Sequence, residues 1–260
     1  MAFPQTIMGK YGWEKVTTTA QKQKVGSRMQ IGERDFIYVK AGEAITAGLL
    51  VMQQVGDTAD DLDLTTSADI SAGDTTMTLS TSLTLTKDQY KDGWLIFNDI
   101  GEEGHMYRIK GNTAVSSAAG AVITIDEEDG FHAAISSGAS NIQCGLTANP
   151  YSAVEIYDYN GIEGAPLGWS CVDIASASYG WICVGGPTLA LITGTPDEGV
   201  ALVASKNTRD GGVEVLDSDD DGEGTIVAYM GNSTGVDGEY ALVMTNIRYC
   251  LLYTSDAADE

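Results

Sequence analysis

Short apolar runs, each closed by turn residues, dominate this chain and leave almost no room for helix. From residue 34 the β-branched and aromatic runs are DFIYVK, GLLVMQQV, TTMTLS, GWLIFND, HMYRIK, AVITID, AVEIYDY, GWICVGG, TLALIT, GVALVAS, GVEVLD, TIVAYM and EYALVMTNIRY. Gly, Asp, Asn or Ser bounds most of them, and these residues supply the positive-φ and side-chain-capped turns that antiparallel hairpins need. With 31 glycines in 260 residues, a window of helical period is scarce. TKDQYKDG (86–93) has room for one helical turn and little more. The pattern predicts an all-β protein, an antiparallel β-sandwich or barrel; the strands are too short and too evenly spaced for βαβ units.

Two polar stretches divide the run of strands. Residues 57–75 are acidic and polar, residues 136–149 small and polar, and a strand-rich block lies between them. This predicts a host domain of residues 30–62 and 143–249 carrying a small inserted β-rich domain at 63–142. Residues 1–29 hold only scattered apolar anchors without a sustained period, and they predict an extended arm.

Charge is unevenly placed along the chain. The net charge is −23. Residues 1–40 carry seven basic against three acidic residues, a balance of +4, whereas residues 41–260 carry seven against 34, a balance of −27. An acidic body repels nucleic acid and anionic lipid, which bind clustered Lys and Arg, so neither is an expected partner. The basic arm, in contrast, suits an acidic protein surface. Lys10, Lys15, Lys22, Lys24 and Arg28 are its candidate steering charges, and Tyr11 and Trp13 its candidate buried anchors. Deleting residues 1–24 is then expected to leave the β-body folded.

The residues of catalysis are thinly represented, and the expectation is a protein without enzymatic activity or cofactor. His105 and His132 lack the spacing of a metal pair. GWSCV (168–172) has Val172 where a nucleophile elbow needs glycine. Cys144, Cys171, Cys183 and Cys250 form no C-x-x-C pair, which argues against zinc and against a disulfide framework. Cys171 and Cys183, inside strand-like runs, read as small buried hydrophobes. DSDDDGEG (217–224) begins like an EF-hand loop, with Asp217, Asp219 and Asp221 as candidate ligands. Its twelfth position is Ala228 and a strand follows, so it reads as a solvated hairpin tip at which divalent binding is incidental.

Three stretches resemble a family of virion structural proteins from tailed phages. They are VGSRMQIGERDFIYVKAGEAITAGLLV, then KDQYKDGWLIFNDIGEEGHMYRIKGNTAVSSAAGAVITIDEE, then the N-P-Y and Y-G-W-x-x-x-x-G-P signatures around ANPYSAVEI and YGWICVGGP. The chain departs from the family's pattern in its dense acidic tip and in Cys183, where a polar residue is usual. The resemblance implies a decoration or cement protein on the outer face of a capsid, assembled in the host cytoplasm. Its partner would be the major capsid protein, and it would be a homo-oligomer, a trimer being favoured. A tail-associated receptor- or glycan-binding module is the alternative, with Trp94, Trp169 and Trp181 as candidate sugar platforms. The last eleven residues, Cys250–Glu260, resemble a translated sequencing adapter and are set apart from the fold.

Overall fold

The computed structural model describes residues 6–54, 64–80, 84–98, 103–116, 120–137, 143–158, 164–206, 209–216, 225–245 and 247. The chain divides into two compact units, one of residues 1–55 with 151–260 and one of residues 56–150. The first contributes β1 (Thr6–Met8), β2 (Arg28–Ile31), β3 (Arg34–Lys40) and β4 (Leu50–Met52) before the break. The second holds β5 (Thr65–Thr66), β6 (Thr76–Ser80), β7 (Trp94–Phe97), β8 (Met106–Asn112), β9 (Val122–Ile125) and β10 (Cys144–Thr147). The first unit then resumes with β11 (Glu155–Ile156), β12 (Pro166–Ser170), β13 (Tyr179–Ile192), β14 (Ala201–Ala204), β15 (Gly212–Val215), β16 (Ile226–Met230) and β17 (Tyr240–Thr245). The fold is all-β, as the alternation of short runs and turns predicts. The inserted segment is wider than the sequence suggests. Polar-looking residues 143–149 supply β10, which pairs with β7, and Leu64 bridges to Cys144.

Five strands of the first unit close on themselves. β13 pairs with β15, β15 with β14, β14 with β16, β16 with β17, and β17 returns to β13 through six residue pairs from Gly186↔Thr245 to Leu191↔Tyr240. Closure leaves no free edge in this barrel. Its interior takes small and medium apolar side chains, among them Ala190, Ile192, Leu202, Val213, Ala228 and Val243, with Trp169 in the same core cluster.

The 14-residue β13 serves two layers. Its first half pairs with β3 and β12, its second half with β17 and β15. The register slips between Cys183 and Gly185, and Gly186 follows at φ +86°. A bulge and a left-handed glycine bend one strand from a curled sheet into the barrel.

That curled sheet is buried on both faces, which explains the unbroken apolar run of β3. Ile37 and Val39 pack on one side with Val51, Ile174 and Ile182. Phe36 and Tyr38 pack on the other with Met29, Ile31, Trp181 and Cys183. Residues 6–31 cover this second face, which corrects the expectation of an arm standing apart from the body. β1 pairs in parallel with β2, Thr18 bridges to Tyr179, and the Lys22 N–H donates to the Tyr38 hydroxyl at 3.1 Å. The segment crosses the sheet through isolated bridges and side-chain contacts, so it shows no strand period.

The second unit is a six-stranded antiparallel sheet in the order β10-β7-β8-β9-β6-β5. Phe97, Tyr107 and Phe131 pack edge to face in its core, the closest pair of ring centroids 4.9 Å apart. The TKDQYKDG stretch forms turns pinned by buried Asn112. Its Oδ1 accepts the Tyr90 N–H at 2.9 Å and its Nδ2 donates to the Thr86 carbonyl at 2.8 Å.

Candidate functional site

Strand alternation sends every second residue of β17 out of the barrel. Ala241, Val243 and Thr245 face inward, while Tyr240, Leu242 and Met244 face solvent. Their partners across the seam are apolar too: Leu191 opposite Tyr240, Leu189 opposite Leu242, Pro187 opposite Met244, with Tyr229 of β16 on the other side of Met244. Leu189, Tyr229, Tyr240, Leu242 and Met244 are 40–55% exposed. Five adjacent large side chains left half in water form an apolar ladder of the kind that marks an interaction surface.

Beside the ladder lies a groove of about 700 Å³. Leu189, Tyr240 and Leu242 line it together with Lys15, Arg34 and Cys171. Arg34 shares the β3 face of Phe36 and Tyr38, and its guanidinium sits 4.8 Å from the centre of the Phe36 ring. Its Nη1 is 3.9 Å from the buried Glu14 carboxylate, and its Nη2 donates to the Cys171 sulfur at 3.2 Å. Glu14 is itself held by the Gly12 N–H at 2.7 Å. The Cys183 thiol, wholly buried, hydrogen-bonds Cys171 and also lies 3.4 Å from the Gly185 carbonyl.

The two thiols are driven apart by this arrangement. The Cys183 hydrogen bond holds Cys171 down at about 7, burial opposes this, and the Arg34 charge adds to the lowering. Cys183 is pushed up, by its hydrogen bond to Cys171 and by burial. The expectation of two small buried hydrophobes fits Cys183 and fails for Cys171, which is half-buried and lines the groove.

Of the residues singled out in the sequence, Lys10, Tyr11, Trp13, Lys15, Lys22 and Lys24 are exposed on the segment that covers the curled sheet. Arg28 is not an available steering charge, because its Nη2 holds Asp35 at 3.0 Å. Trp13, Lys22, Tyr38 and Trp181 also line a smaller depression of about 230 Å³. Trp169 is fully buried and Trp181 nearly so, packed edge-on to Tyr38 at 5.0 Å; both are core residues and neither offers a sugar platform. Trp94 is half-buried under the Arg108 guanidinium at 4.7 Å. The Ser170 hydroxyl donates to the Val172 carbonyl. His105 and His132, distant in sequence, come together with ring centroids 5.2 Å apart, which nothing in their spacing foretold. No cluster of three or more metal-ligating side chains occurs among the described residues, and Asp217, Asp219 and Asp221 lie outside them.

No family model matches the chain, and no curated protein or solved structure matches it.

Proposed function

We propose that the protein is a non-enzymatic structural component of a tailed-phage virion, decorating and stabilising the outer face of the capsid as a homo-oligomer. The observation that carries this reading is the apolar ladder. Pro187, Leu189, Leu191, Tyr229, Tyr240, Leu242 and Met244 carry no charge, in a chain of net charge −23. Copies so strongly acidic repel one another, and a charge-free apolar seam is where they can approach. Covering the exposed half of its five large side chains is worth about 4–7 kcal/mol. Association itself costs about 4–15 kcal/mol, so the seam needs further contacts around its rim. The exposed lysines at 10, 15, 22 and 24, with Tyr11 and Trp13, are the surface offered to the major capsid protein, where cations speed encounter with an acidic partner.

The test has two parts. Quantitative mass spectrometry of purified particles should find hundreds of copies per virion; a handful would move the protein to the tail, as a receptor- or glycan-binding module. Sedimentation of the isolated protein should show an oligomer that Leu189→Lys with Leu242→Lys reduces to a folded monomer. A wild-type protein that is monomeric at high micromolar concentration would show that the ladder does not join copies of this chain.

A further inference from the structure

Glu14, Arg34, Cys171 and Cys183 form a line of interacting groups that a purely structural role does not require. Arg34 is fixed from behind by Glu14 and by the Phe36 ring, so its Nη2 is held on the Cys171 sulfur instead of sweeping through solvent. Cys171 lies at the wall of the groove, within reach of small solutes, whereas Cys183 behind it has no exposed surface. Trp169 of β12 pairs with Cys183 of β13, so Cys171, two residues on, stands diagonally from Cys183 and packs against the buried cluster that holds it. A cation-held, accessible sulfur backed by a second, protected thiol is the arrangement of a nucleophile and its resolving partner.

We infer that Cys171 is a thiol modification site that takes hydroperoxides entering the groove, with Cys183 closing a reversible disulfide behind it. In the first step the Cys171 thiolate attacks the outer peroxide oxygen. An S–O bond forms, the O–O bond breaks, and the alkoxide or hydroxide that leaves is protonated by water. Sulfur gives up two electrons and becomes a sulfenic acid. Cys183 sulfur then attacks Cys171 sulfur; the S–S bond forms, the S–O bond breaks, and the departing hydroxide takes the Cys183 proton as water. The balance is two thiols and one hydroperoxide to one disulfide, one alcohol (or water) and one water. Lys15 on the same groove adds positive charge near the entering oxidant. This proposal is independent of the virion reading and holds or fails on the isolated protein.

The experiment is site-resolved mass spectrometry of the intact chain. No Lys or Arg lies between Lys110 and Lys206, so an Asp-specific digest, cutting at Asp173, is needed to separate Cys171 from Cys183. At pH 7, iodoacetamide should label Cys171 at least about tenfold faster than Cys144, following thiolate fraction and access. The pH profile of that labelling should have its midpoint at about 7. The groups facing Cys171 that set the midpoint are Arg34, Cys183 and Glu14. Arg34→Met should move it toward the ordinary thiol value of about 8.5. One equivalent of hydrogen peroxide should remove the mass of two hydrogens and link the Cys171 and Cys183 peptides, with dithiothreitol restoring both. Cys183→Ser should instead accumulate a dimedone-reactive sulfenic acid at Cys171. Labelling of the wild-type protein that shows no preference for Cys171, or peroxide treatment that neither links the two peptides nor yields the dimedone adduct, overturns the inference without recourse to any variant.

Discussion

Gly186 of β13 passes so close to Glu33 that a β-carbon at position 186 would lie 2.4 Å from the Glu33 carbonyl oxygen. That glycine sits where β13 leaves the curled sheet for the barrel, at φ +86°. Gly186→Ala combines left-handed strain with a backbone clash, and it should cost about 2–4 kcal/mol. Urea unfolding followed by tryptophan fluorescence measures it, since Trp169 and Trp181 are both buried in this unit. A loss below half a kcal/mol would mean that the bend is set elsewhere.

The insertion admits a cleaner excision than its sequence boundaries suggest. Met52 of β4 pairs directly with Glu155 of β11, and Val51 with Ile156, so the chain leaves and re-enters the first unit on neighbouring strands. Replacing residues 56–150 by a short Gly-Ser linker closes a hairpin-sized loop, and loop length adds little entropy beyond that. The remaining protein should keep one cooperative unfolding transition. Loss of cooperativity would show that the first unit depends on the excised residues.

How far the fold could be read from the sequence depended on how regularly each residue's environment alternates. β3 was legible because FIYV is apolar at every position and both of its faces are covered. The ladder was not. TLALIT and EYALVMT are apolar on both parities, and the larger residues, Leu189, Tyr240, Leu242 and Met244, face outward while Ala190, Ala241 and Val243 face in. A rule that sends bulky apolar residues to the core assigns those strands the wrong way round. The signal available was the size ordering itself, because a five-stranded barrel has room for small interior side chains. The basic segment was misjudged for another reason: its attachments at Thr18, Lys22 and Glu14 are single contacts without period. The Arg34–Cys171 contact spans 137 residues and could not be read from spacing.

Buried Cys144 makes the second unit sensitive to alkali. Burial pushes its thiol up from the ordinary value to about 12, with its sulfur donating to the Leu64 carbonyl at 3.4 Å. The unfolded chain ionises this group near pH 9 while the folded chain keeps it neutral, so its contribution is complete below pH 9 and is lost as pH rises toward 12. The stability of the second unit should fall by up to about 1.4 kcal/mol per pH unit in that window. Cys144→Val, which cannot ionise, should flatten the slope. An equal slope in the variant would assign the alkaline loss to other groups.

Removal of residues 1–24 should destabilise the first unit, contrary to what their composition suggests. The deletion takes away β1, the Thr18 bridge to Tyr179, the Lys22 N–H that holds the Tyr38 hydroxyl, and the Glu14 carboxylate behind Arg34. What it uncovers is the face on which Tyr38 and Trp181 are buried. Exposing two aromatic side chains of that size costs about 3–6 kcal/mol. Hydrogen exchange should therefore rise at the amides of β2, β3 and the first half of β13, while β14, β16 and the barrel half of β13 keep their protection. Unchanged protection at Tyr38 and Trp181 would show that the segment rests on the sheet without supporting it.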